Sequence, residues 1–129
     1  TLQFDKVYDY PVFVNGDKER IEQVLINLIV NSIKYGKLNG LTSVGIESFD
    51  KKKFIIKVVD NGEGIKEEHI SRLFERFYRV DQSRSREQGG SGLGLSIVKH
   101  IVEAHNETVL INSTFKKGSE FSFTMKKVK

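Results

Sequence analysis

The sequence predicts an α+β domain. We expect a two-layer sandwich with a mixed, mostly antiparallel sheet of about five strands, covered on one face by three helices. Three observations carry this. Apolar residues recur at i, i+3 and i+4 in long stretches, the period of an amphipathic helix. Shorter apolar runs sit around polar turns, the pattern of hairpins. The two kinds of segment are mixed along the chain, which suits helices gathered on one face of a sheet.

"PVFVNGD" (Pro11 to Asp17) reads as a short strand and a turn. A helix follows from about Lys18 to Lys37, with Ile21, Val24, Leu25, Leu28, Ile29 and Ile33 on one face and Asp17 as its N-cap. "YGKLNG" ends it. "SVGIESF" and "FIIKVVD" read as a hairpin around "DKKK". "KEEHISRLFERFYRV" reads as a second helix, acidic in its first turn. Residues 81–91, "DQSRSREQGGS", read as a flexible loop. "GLSIVKHIVEAH" is a third helix, with Ile97, Val98, Ile101 and Val102 facing inward. "TVLINSTF" and "SEFSFTMKKV" are two further strands turned at "KKGS".

The 129 residues suffice for one domain with one core. Hydrophobic content of 38% and charged content of 29% are those of a globular chain. No apolar run reaches the roughly 18 residues of a membrane span, and no signal peptide is visible. The chain starts at Thr1 instead of Met, which reads as an excerpt of a longer protein. Cysteine is absent, so disulfide and thiolate chemistry are excluded. The net charge of +4 raises nucleic-acid binding. The lysines cluster at hairpin tips and a strand end, so a solvated surface is the preferred reading.

Four glycines (Gly89, Gly90, Gly92, Gly94) precede the third helix. Glycine-rich turns feeding a helix cradle anions, because the backbone can approach closely and free N–H groups point outward. The P-loop string GxxxxGK[ST] is absent, the dinucleotide spacing is wrong, and the HRD and DFG strings of protein kinases are missing. A second pair, Gly62 and Gly64, follows Asp60 at the end of an apolar strand, "VVDNGEGI". Asp60 either caps its own loop as an Asx-turn or accepts a hydrogen bond from a ligand N–H such as the adenine amine. On the first helix, Asn27, Asn31, Lys34 and Tyr35 share one stripe about 100° wide. Amide oxygens for Mg²⁺, an ammonium for phosphate and a ring for a base suit a metal-triphosphate; a wet helix edge with stray asparagines is the plainer alternative.

These motifs together resemble the catalytic and ATP-binding domain of sensor histidine kinases, in the superfamily shared with gyrase, the Hsp90 chaperone and MutL. "NLIVNSIKY" resembles the N box, "DNGEGI" the first glycine box, "LFERFYRVD" the F box, "GGSGLGLSIV" the second glycine box and "KGSEFSF" a weaker last box. The resemblance covers about Phe4 to Met125 and implies the Bergerat ATP-binding fold over residues 1–129. It implies ATP and Mg²⁺ as ligands. Asp60 would accept from the adenine amine, with Gly62 and Gly64 giving the ring room. Tyr35, Ile65 and Leu95 would wall the base. Asn31 would ligate Mg²⁺ with Asn27 nearby, and Lys34 and Arg79 would contact phosphate. Asp81 to Ser91 would be the ATP lid, ordered only when nucleotide is bound, with Ser91 among the nucleotide-binding residues. Gly92, Leu93 and Gly94 would offer backbone N–H groups. Where the family shows Gly-Gly after the third helix, this chain has Asn106 and Glu107. Asn106 tolerates the left-handed turn required there.

The superfamily's hydrolases carry a glutamate where Asn27 stands, and an amide cannot take a proton from water. Transfer to a protein nucleophile fits better. His69, His100 and His105 lack the family's phosphoacceptor context, so surface or structural roles are expected. The resemblance implies a separate helical dimerisation domain that carries the acceptor histidine and a response regulator downstream. Leu73, Phe74, Phe77 and Tyr78 would dock on the acceptor helices or pack in the core. The implied place is the cytoplasmic part of a membrane-anchored sensor, with no nucleic-acid or direct membrane contact. An ATP-binding adapter and an anti-sigma-type serine kinase are the competing classes.

Overall fold

The computed structural model describes residues 1–7, 11–34, 39–75 and 94–128. In chain order they form β1 (Leu2–Phe4), β2 (Val14–Asn15), α1 (Lys18–Lys34), β3 (Thr42–Ser48), β4 (Lys53–Asp60), α2 (Glu67–Ile70), α3 (Gly94–Ala104), β5 (Val109–Thr114) and β6 (Gly118–Lys127). The sheet has six strands in the order β1-β3-β4-β6-β2, with β5 also on β6. Only β1 runs parallel to its neighbour; the other pairings are antiparallel. The mixed, mostly antiparallel sheet with helices on one face is the expected class. The additional strand is β1, whose three residues are all exposed and carry no alternation to announce it.

Local chemistry sets the elements. Asp17 caps α1, its Oδ1 accepting from Arg20 N–H at 3.3 Å. Asp50 shapes the β3–β4 turn by accepting from Lys52 and Lys53 N–H at 2.7 and 2.8 Å. At the end of α3, Asn106 takes φ 59°. Glu107 N–H donates to Val102 C=O at 3.1 Å and Asn106 N–H to Glu103 C=O at 2.9 Å, which together make a Schellman cap. The left-handed turn expected at Asn106 is therefore present.

Of the helix expected over 66–80, the described part to residue 75 is helical only in its first turns, and residues 76–80 lie outside the described residues. Glu67–Ile70 is helical, and Arg72, Leu73 and Glu75 then bond three residues back. This tighter winding sets Leu73 in the core and Phe74 edge-on against Phe121, with centroids 6.5 Å apart at 83°.

The core lies between the sheet and α1 with α3. Val24 and Leu28 of α1 and Val98, Ile101 and Val102 of α3 meet Ile56, Val58, Phe121, Phe123 and Met125. The register arranges the helix-facing side into cross-strand rows. Ile46, Ile56, Phe123 and Val109 form one row, and Val44, Val58, Phe121 and Ile111 the next. One step further, the row is Thr42, Asp60, Ser119 and Ser113. The face thus turns from apolar to polar at a single row, and that row is where the candidate site begins. Among the described residues no helix is long and apolar enough to cross a membrane.

Candidate functional site

Asp60 stands at the end of β4, half-buried, on the same face as Val58 and Ile56. Its Oδ1 accepts from Gly62 N–H at 2.9 Å, the Asx-turn that the sequence allowed. Its Oδ2 accepts from Ser32 Oγ at 3.1 Å. Ser32 Oγ also lies 3.0 Å from Thr42 Oγ1. A carboxylate oxygen has two lone pairs, so each oxygen can take a further donor. No ammonium or guanidinium of the described residues pairs with Asp60.

The loop after Asp60 is built against the β5–β6 turn. Asn61 is tied to Leu41 twice, through N–H to C=O at 3.2 Å and Oδ1 from N–H at 2.8 Å. Gly64 has φ +72°, and a Cβ there would run into the Thr114 carbonyl. Ile65 N–H donates to Ser113 Oγ at 2.8 Å, and Ser113 Oγ is 2.8 Å from Ser119 Oγ. Gly118, at φ +145°, lies where a Cβ would strike the Asp60 carbonyl. Gly64 and Gly118 are thus required by close backbone approach. At Gly94 an added Cβ would meet no described residue within 4 Å, so packing among the described residues does not explain that glycine.

The α1 stripe meets the start of α3. Asn27, half-buried, donates from Nδ2 to Gly94 C=O at 3.3 Å. Asn31 follows one turn later, half-buried, with no hydrogen bond of its side chain among the described residues. Among the described residues no group of three or more His, Asp or Glu side chains could hold a metal.

The structure therefore brings together Asn27 with Gly94, and Asp60 with Gly62. It puts Gly64 and Ile65 on the same wall and packs Ile65 and Leu95 against the core. Lys34 ends α1, its side chain undescribed. Tyr35, Phe77, Tyr78, Arg79, Ser91, Gly92, Leu93 and the loop over 81–91 lie outside the described residues. Leu73 is a core residue at 6% exposure, which leaves it little surface for docking, while Phe74 keeps part of its ring exposed. Sequence reasoning missed Ser32, Thr42, Ser113 and Ser119. Only the strand register shows that three of them share a row with Asp60.

The histidines fall as expected. His105 Nε2 accepts from Asp17 N–H at 3.0 Å, and Nδ1 lies 2.9 Å from Ile101 C=O, to which it donates. This ties the end of α3 to the start of α1. His100 is exposed and His69 lies 3.6 Å from Glu68.

A family model described as histidine kinase-, DNA gyrase B-, and HSP90-like ATPase matches residues 16–129. The chain belongs to this family. Its relatives are sensor kinases. It is 44% identical over 120 residues to hybrid signal transduction histidine kinase B of Dictyostelium discoideum, covering 89% of this chain and 6% of that protein. It is 38% identical over 118 residues to sensor histidine kinase WalK of Bacillus subtilis (strain 168), covering 91% of this chain and 19% of that one. The chain thus spans a minor part of these relatives. Among solved structures, the mycobacterial sensor histidine kinase MprB superposes with a TM-score of 0.80 at 25% identity, covering 98% of this chain and 82% of that one. The catalytic domain of histidine kinase ThkA superposes with a TM-score of 0.77 at 29% identity, covering 99% and 79%. The fold and family are those of the histidine kinase catalytic, ATP-binding domain.

Proposed function

We propose that this domain binds Mg-ATP and delivers the γ-phosphate to a histidine on a separate helical dimerisation and phosphoacceptor domain, with a response regulator receiving it afterwards. The observation that carries the reading is Asp60. Its carboxylate is oriented by two neutral donors at the polar edge of the helix-facing side. It retains acceptor capacity for a ligand N–H, and the adenine amine supplies one. Guanine would set a carbonyl there, acceptor against acceptor.

The remaining roles follow from position. Asn31 would hold Mg²⁺, which neutralises phosphate charge when bound. Lys34 and Arg79 would contact the phosphates, and Gly92, Leu93 and Gly94 would present N–H groups at the start of α3. Gly94 fits a backbone that a ligand approaches closely, since no described residue would meet a Cβ there. Residues 81–91 would close over the nucleotide. Asn27, already a donor to Gly94 C=O, has no basic group with which to activate water. Phe74, with Phe77 and Tyr78, would meet the acceptor helices. The anchoring of the whole protein in a membrane belongs to the same proposal.

The test is incubation with γ-labelled ATP. The domain alone should neither label itself nor release phosphate above background. Adding the acceptor domain as a separate chain should give acid-labile, base-stable label on that domain. Transfer should be weak, because a shared chain would supply a millimolar-range effective concentration. Acid-stable label on a partner would instead support a serine kinase, and rapid phosphate release by the domain alone would overturn both.

A further inference from the structure

The polar row holds more than Asp60. Thr42 is its cross-strand partner on β3, and Ser32 reaches it from α1. Both hydroxyls are buried, at 5% and 1% exposure. Their hydrogen-bond direction can be worked out. An ionised carboxylate only accepts, so the Ser32 hydroxyl hydrogen is committed to Asp60 Oδ2 at 3.1 Å. Ser32 has no second hydrogen, so across the 3.0 Å contact Thr42 is the donor. The result is a one-way chain, Thr42 to Ser32 to Asp60. Its far end is anchored, since Thr42 N–H donates to Thr1 C=O at 2.8 Å.

Such a chain does what apolar packing would not. The terminal torsion of an aspartate is broad when free. Here Gly62 N–H holds one oxygen and the hydroxyl chain holds the other. The plane of the carboxylate is therefore set before a ligand arrives, and pre-organisation of this kind raises affinity by removing an ordering cost. Ser32 also follows Asn31 directly on α1, so a displacement of the helix there would move the base-reading carboxylate and the metal-side amide together.

We propose that Ser32 and Thr42 are positioning residues that set the chain's preference for a 6-aminopurine nucleotide by aiming Asp60. This rests on the reading of Asp60 as acceptor for the adenine amine. The test uses Ser32→Ala, Thr42→Val and Thr42→Ser, each checked for folding by thermal melting. Calorimetry is run with ATP and with purine riboside 5′-triphosphate, which lacks the 6-amino group. Ser32→Ala should weaken ATP binding by roughly 3–10-fold. Thr42→Val should act in the same direction by less, and Thr42→Ser, which keeps the hydroxyl, should bind like wild type. All three should bind the desamino analogue as wild type does, because no amine is there to be met. Equal losses for both nucleotides would mean that the hydroxyls only support the fold, and unchanged ATP binding would mean that they do nothing for the base. Asp60→Asn separates the two levels. If it binds ATP like wild type, the parent reading fails. If it loses affinity while Ser32→Ala does not, only the positioning role fails. Should Ser32→Ala not fold, the Thr42→Val and Thr42→Ser pair decides the matter alone.

Discussion

Two carboxylates flank β4, and the molecule treats them oppositely. Asp60, at the strand's end, is held by a backbone N–H and a hydroxyl. Glu107, just past α3, lies against the strand's start, with its side chain only 1% exposed. Its Oε1 accepts from Thr124 Oγ1 at 2.8 Å and from Lys53 Nζ at 2.8 Å. Its Oε2 is buried without a partner among the described residues. The ammonium answers Glu107's charge within the fold, so that carboxylate joins the end of α3 to β4 and β6. The charge on Asp60 has no such answer among the described residues. Neutral donors orient a carboxylate and leave its charge for a ligand; an ammonium consumes it. The same functional group thus stands without a charge partner among the described residues at one end of the strand and as a structural joint at the other.

The comparison breaks if Asp60 proves structural. Asp60→Asn should weaken ATP binding by roughly 10–150-fold, the equivalent of about 1.5–3 kcal/mol for a hydrogen bond to a charged group. Its melting temperature should stay near wild type, since an amide can keep the Gly62 contact. Calorimetry and a thermal melt on one sample check both halves. At the other end the effects should reverse. Lys53→Met strands a buried carboxylate and should lower unfolding free energy by about 2–3 kcal/mol, below the range for fully buried pairs because Lys53 is partly exposed. Glu107→Gln should lose less, since a neutral amide still meets Thr124. Denaturant titration reads both, and nucleotide affinity should not move in either. The smallest effect is expected at Asn106→Gly. Relieving a side chain from φ 59° should stabilise by less than about 1 kcal/mol with unchanged ATP affinity. A change in affinity there would mean that the two ends of the strand communicate.

Much of the fold was legible from local pattern. The caps at Asp17 and Asn106, the span of α1 from Lys18 and the last four strands follow from periodicity and turn chemistry. β1 was not, because Leu2–Phe4 pairs in parallel with a strand distant in sequence, and its residues are exposed. The second helix was misread over residues 71–75, because its apolar residues satisfy an α-helical period, yet tight turns bring Leu73 and Phe74 inward. In the site, Asp60 and the glycines announce themselves at the end of an apolar run. Ser32 and Thr42 do not, since a serine on a helix and a threonine opening a strand are common. Their meaning is created by register, which no single segment contains. Glu107 is hidden for the same reason: its burial is decided by Lys53 on another element.

The step from apolar to polar at a single row has a consequence for redesign. If the proposed reading of Asp60 holds, base preference is written into one row of cross-strand neighbours that lies apart from the two hydrophobic rows. Thr42 and Ser32 can be exchanged together, while Asp60, Ser113 and Ser119 keep the loop after β4 in place and the two hydrophobic rows beneath keep the helices seated. On that reading, a library confined to Ser32 and Thr42 would shift base preference on an intact scaffold. On the same reading, a nucleotide with an altered 6-substituent would be the first ligand to screen against that library.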